Sequence, residues 1–200
     1  MSSVTPERQN VSISRLKSPR TPTSPGNVAS LRIETAAASI AECHQKWLQA
    51  AEKGSQYCNA VKNIKRNIQQ QTAPSDRHPY PENLQLYCKN LLVMVSIMED
   101  VAANADTVLA QVKSLHEFFT EHDTIGYTWN YRQILTTIQR ITLSYKKEID
   151  SRKYVAENIG HVLSSDQLSL FVTSWNNGID VERDRELLIK MMIFEFKLPA

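Results

Sequence analysis

Apolar residues recur every seven positions over two long stretches of the chain, a spacing that predicts two long helices. In the first, Ile33, Ile40, Trp47, Gly54, Val61 and Ile68 form one row, with Ala36, Cys43, Ala50, Tyr57 and Ile64 three residues further on. In the second, the rows are Leu84, Leu91, Met98, Ala105, Val112 and Phe119, and Tyr87, Met94, Val101, Val108 and Leu115. Between them TAPSDRHPYP, residues 72–81, is a loop by its prolines and by the restriction each places on its predecessor. Helices joined by so short a loop run antiparallel. At about 1.5 Å per residue, roughly 40 helical residues extend about 60 Å, so the pattern describes an elongated body. Gly54 costs about 1 kcal/mol relative to Ala inside a helix, and marks either a break or a close crossing.

His122, Asp123 and Gly126 are expected to end the second helix, and Thr128-Trp129-Asn130 to open a third that runs to Gly160 or His161. Its seam is Tyr131, Ile134, Ile138, Ile141 and Tyr145, resuming at Val155, Ile159 and Val162. Glu148 and Arg152 occupy the steps between. An exposed pair at this spacing contributes only about 0.3–0.5 kcal/mol, too little to justify charge on a buried face. The expectation is therefore that a partner chain supplies a complementary residue and that the pair sets register. A shorter helix from Ser165 to Trp175 comes next, then a turn at Asn176-Asn177-Gly178. The last helix, about Val181 to Phe196, turns Leu187, Leu188, Met191, Met192 and Phe194 or Glu195 around its faces.

The whole reads as an all-α protein: an elongated antiparallel helical hairpin or coiled coil over 28–123, plus a C-terminal helical interaction region over 124–200. Residues 1–27 differ in kind. They are rich in Ser, Thr, Pro and Arg, hold few large apolar groups, and are expected to stay disordered. Thr5-Pro6, Ser18-Pro19, Thr21-Pro22 and Ser24-Pro25 meet the minimal requirement of proline-directed kinases, so Thr5, Ser18, Thr21 and Ser24 are candidate phosphorylation sites. That segment carries four basic residues against one acidic, leaving 19 basic and 20 acidic elsewhere. A nearly neutral folded part argues against direct nucleic-acid binding.

Only 5 glycines among 200 residues disfavour a nucleotide-binding α/β fold, and neither GxGxxG nor GxxxxGK[ST] occurs. Three cysteines, Cys43, Cys58 and Cys88, lie within helical patterns without metal-ligand spacing and read as core residues of a reduced compartment. His116-Glu117 with His122 is two residues too wide for a zinc-binding helix face. The longest apolar run, LLVMV at 91–95, is far short of the roughly 20 residues a membrane span needs. No catalytic residue, metal or cofactor is expected, and no membrane partner. His161 reads as a helix-end cation, Trp129 as a core or interface anchor, and Trp175, before a polar turn, as an exposed hot spot.

From the third helix to the end of the chain, the sequence resembles the cyclin-dependent kinase 2-interacting protein family. The likeness rests on Thr128-Trp129, on Tyr145, Lys147, Glu148, Arg152, Lys153, Val155, Ala156 and His161 without a gap, and on Asp166, Phe171 and Trp175. It continues through Val181-Glu182, Asp184, Leu187, Ile189, Met192 and Glu195, and more faintly at Lys46-Trp47, Asn59-Ala60 and Asn63-Ile64-Lys65. The resemblance implies a non-enzymatic adaptor subunit of the nucleus or cytoplasm. It would be tied to cyclin-dependent kinase 2 and a replication kinase, and to a AAA+ ATPase assembly active in ribosome biogenesis and on chromatin-bound substrates. Pairing with a second helical subunit is implied before docking on the ATPase. The expected partner-binding residues are Trp129, Tyr145, Glu148, Arg152, His161, Phe171, Trp175, Glu182 and Met192. The competing expectation is a structural coiled-coil protein that associates only with itself.

Overall fold

Among the residues that the computed structural model describes, 25–71, 81–120, 122–177 and 181–199, five α-helices carry the architecture. They are α1 (Pro25–Gln71), α2 (Glu82–Lys113), α3 (Tyr131–Asn158), α4 (Ser165–Asn176) and α5 (Val181–Phe196), with a 3-10 turn at His116–Phe118. The protein is all-α. Helix α1 begins on Pro25, whose missing N–H falls where no intrahelical bond is due. It runs unbroken for 47 residues, about 70 Å.

Helix α2 returns along α1, setting Tyr87 beside Tyr57 and Val112 and Leu115 beside Arg32 and Ala36. Helix α3 reverses again, so that Lys146 and Lys153 bond Asp106 and Glu99 of α2. Helices α4 and α5 then run end to end back along α1, Trp175 reaching Ala51 and Arg185 reaching Trp47. The result is an up-down-up-down bundle whose fourth position is filled by two short helices. One cluster of buried apolar residues extends from Ala29 to Met192, so the helices of 124–200 pack against the hairpin and share its core.

The seven-residue rows face inward, with one drift. In α1, Ile33, Ile40 and Trp47 are buried, but further along Cys58, Val61 and Lys65 are buried in preference to Tyr57, Ile64 and Ile68. A straight helix slips about 20° per heptad, which rotates the inward face by roughly one residue over this length. Helix α2 also buries Val95, Ala102 and Leu109, because it lies against both α1 and α3 and needs a wider apolar face.

Two expectations are corrected. The second helix ends at Lys113, ten residues before Asp123. Its last carbonyls, Val112 and Lys113, accept from the Tyr131 hydroxyl at 3.0 and 3.4 Å, and Phe119 stacks on the Tyr131 ring at 5.4 Å. Capping and packing by α3 thus turn the chain early. The second correction concerns Gly54. It is a crossing, not a break: a Cβ there would lie 1.9 Å from Trp175 Cζ2.

Candidate functional site

The charged seam of α3 meets its answer within the same chain. Glu148, Arg152 and Arg185 are 2%, 3% and 0% exposed. Glu148 Oε2 accepts from Arg185 Nη1 at 2.7 Å. Its Oε1 accepts from Arg152 Nε at 3.0 Å and also from Arg152 Nη2. Each carboxylate oxygen is committed to a different guanidinium, which satisfies a charge that burial would otherwise penalise heavily.

Aromatic faces complete the shell. Arg185 lies 4.9 Å from the Trp47 ring centroid and 4.8 Å from that of Tyr145, and Arg152 lies 4.9 Å from Trp175. These are cation–π distances. Trp175 Nε1 donates to the Ala51 carbonyl at 2.9 Å, close against α1 because Gly54 has no side chain. His44 Nδ1 is 3.4 Å from the Tyr145 hydroxyl. Burial, reinforced by the Arg185 guanidinium, pushes the His44 imidazole down to about 4, so it is neutral near pH 7. The cluster sits beneath the junction of α4 and α5, where the fourth position is interrupted.

A second polar anchor fixes the far end of α5. Glu195 accepts from Thr128 N at 2.7 Å, Thr128 Oγ1 at 2.5 Å and Trp129 N at 3.1 Å. Gly126 makes room for it, since a Cβ there would stand 2.9 Å from Glu195 Oε2. Burial raises the Glu195 carboxyl, but the bonds from Thr128, Trp129 and Tyr127 outweigh it and hold the group below its ordinary range. The same loop opens α3: Asn130 Oδ1 accepts from Gln133 N at 3.0 Å, and Gln133 Oε1 accepts from Asn130 N at 2.9 Å. That reciprocal box defines the helix start.

The expected partner-binding residues therefore divide. Tyr145, Glu148, Arg152, Trp175 and Met192 are buried, and Trp129 nearly so, in contacts made by this chain. The expectation that Glu148 and Arg152 await another protein is corrected: Arg185 of α5 is the complementary residue. Trp175 is corrected likewise, from an exposed position to a fully buried one, because its indole needs the Ala51 carbonyl. Phe171 is half-buried and stacks on Tyr154 at 5.8 Å. His161 is exposed at the end of α3, beside a shallow depression lined by Leu84, Cys88 and Gly160. Glu182 belongs to the first turn of α5, but its side chain lies outside the described residues, as do Thr5, Ser18, Thr21 and Ser24.

Periodicity and motif spacing mark neither Arg185 nor His44 nor Gly126 as part of the site. Arg185 carries one available signal: it stands at i, i+4, i+7 and i+10 with Ile189, Met192 and Glu195, a stripe that is buried in full.

The thiols are not activated. Burial raises Cys43 and Cys88 and carries Cys58 to about 12. Among the described residues no group of three or more His, Cys, Asp or Glu could hold a metal ion, and no helix is long and apolar enough to cross a membrane. No protein-family model matches the chain, and no curated protein matches it.

Proposed function

We propose that the protein is a non-enzymatic adaptor subunit, a helical bundle that binds another helical chain and presents it to a larger machine. The observation that carries this reading is on α5, where Leu187, Met191 and Phe194 are 58%, 43% and 69% exposed while Arg185 and Glu195 are buried. A helix that buries two charged side chains and leaves three large apolar ones exposed among its surface charges presents a surface suited to a protein partner. The residues of the resemblance give further support. Trp47, Trp129, Tyr145, Glu148, Arg152, Trp175 and Glu195 are the ones that hold the helices together, so a cyclin-dependent kinase 2-interacting protein would be expected to share this scaffold.

On that reading the partners are a second helical subunit, a AAA+ ATPase, and cyclin-dependent kinase 2 with a replication kinase, and the protein works in the nucleus. The alternative, self-association through the seven-residue rows, loses its motive because those rows are largely covered within one chain. The purified protein should sediment as a monomer. Tagged and recovered from nuclear extract, it should carry a helical chain of different sequence together with a AAA+ ATPase. A homodimer that persists on dilution, with neither component recovered, overturns the proposal.

A further inference from the structure

Helix α5 stands beside α3 with a groove between them that the other described residues leave open. Two depressions, of ≈ 310 and ≈ 370 Å³, adjoin at Arg140 and Leu188, which line both. One wall is apolar. It comprises Leu188 and Met191 of α5, with Asp184 at one end; beyond Met191, outside the two depressions, the exposed Phe194 ring meets the exposed Tyr127 edge-on at 6.1 Å. The other wall is basic. Arg132, Thr136, Arg140, Leu143 and Lys147 succeed one another at steps of four, four, three and four residues, which places them on one face of α3. Arg140 bonds Asp184 across the groove at 3.2 Å. Among the described residues, Arg132 and Lys147 have no ion-pair partner.

Resting on the adaptor reading above, we propose that this groove seats an acidic amphipathic helix supplied by a different protein. Its apolar stripe would cover Leu188, Met191 and Phe194, and its carboxylates would pair with Arg132 and Lys147. From 132 to 147 the basic wall spans about 22 Å, four helical turns, so a segment of about 15 residues fills it. A second copy of this chain fits poorly. A two-fold interface sets the same patch against itself, and among the groove's lining residues Arg132, Arg140 and Lys147 would find only Asp184, already bonded to Arg140, as a counter-charge. The exposed apolar residues of α2, Leu86, Val93 and Ile97, share their stripe with one exposed cation, Lys89, and one exposed anion, Asp100, instead of a row of cations, and serve as the control surface.

The test is fluorescence anisotropy of the full chain with two labelled helical peptides of about 16 residues. Both carry leucine at i, i+4, i+7 and i+11; one is flanked by glutamates and its twin by lysines. The acidic peptide should bind at least about tenfold more tightly than the twin, and more weakly as salt is added. Met191→Glu should weaken it about tenfold or more, and Val93→Glu should leave it unchanged. Arg132→Glu with Lys147→Glu should transfer the preference to the lysine peptide, a gain that an unfolded variant does not produce. Equal binding of the two peptides, equal loss on Val93→Glu, tight binding to phosphatidylserine vesicles in place of the peptide, or dimerisation abolished by Met191→Glu each overturns the proposal. Partner recovery that survives Met191→Glu but not Val93→Glu overturns the groove and leaves the adaptor reading standing.

Discussion

Glu148 is the residue on which the polar core turns, because two arginines share its carboxylate. Removing it strands both guanidiniums without water. Glu148→Ala should therefore destabilise the protein by about 3–5 kcal/mol, whereas Arg185→Met combined with Glu148→Leu should recover part of the loss, because it removes one stranded guanidinium and leaves Arg152 as the other. Urea unfolding of the singles and the double measures the difference, and a double variant no better than Glu148→Ala would refute the account. Gly54 makes a sharper case at the same scale. In an ordinary helix interior Gly→Ala gains about 1 kcal/mol, but here the added methyl meets the Trp175 ring. Gly54→Ala should lower the melting temperature in the native background and raise it in a Trp175→Leu background, so the sign of its effect depends on one neighbour.

Helices are legible in the sequence to the extent that their environment is periodic. The start of α3 and the rows of α1 and α2 come from a cap and from apolar spacing, which act locally. The face of α5 is not legible. Leu187, Met191 and Phe194 form one helical stripe, and Arg185, Ile189, Met192 and Glu195 form another, so periodicity alone cannot choose between them. The choice is made 37 residues away by Glu148, and at the other end by the amides of Thr128 and Trp129. For the same reason the charged seam is visible from sequence while its partner is not. The docking of α5 should also be sensitive to acid. The unfolded His44 takes up a proton near pH 6.5, but the folded ring, facing Arg185, Lys190, Glu186, Glu148 and Tyr145, resists until about 4. Between those values the unfolded state binds more protons, and stability falls as pH drops. Glu195, held low in the fold, adds to the loss as pH passes below the ordinary carboxylate range through its lowered value. Urea midpoints measured from pH 7 to pH 3 should decline, with His44→Phe flattening the upper part of the curve and Glu195→Gln the lower.

At the scale of the molecule, the bundle closes only when its fourth position is occupied. Helix α2 lies between α1 and α3, and α4 and α5 bridge α3 back to α1, where they cover Gly54, Trp47 and His44. The hairpin of 28–123 therefore lacks half of its own shielding. Val95, Ala102 and Leu109 of α2, which face α3, and Trp47 of α1, which faces Tyr145 and Arg185, would be left in water. At about 1.5–3 kcal/mol for each large side chain, such exposure removes a free energy comparable with the roughly 5–15 kcal/mol a domain holds in reserve. A fragment of residues 25–123 should retain helical circular dichroism, because its rows still pair. It should melt without a cooperative transition and exchange its amide protons rapidly. The full chain should melt cooperatively under the same conditions. A sharp transition in the fragment would mean that the hairpin is an independent domain and that α3–α5 are an appendage, in which case the groove beside α5 would be free to move relative to α1.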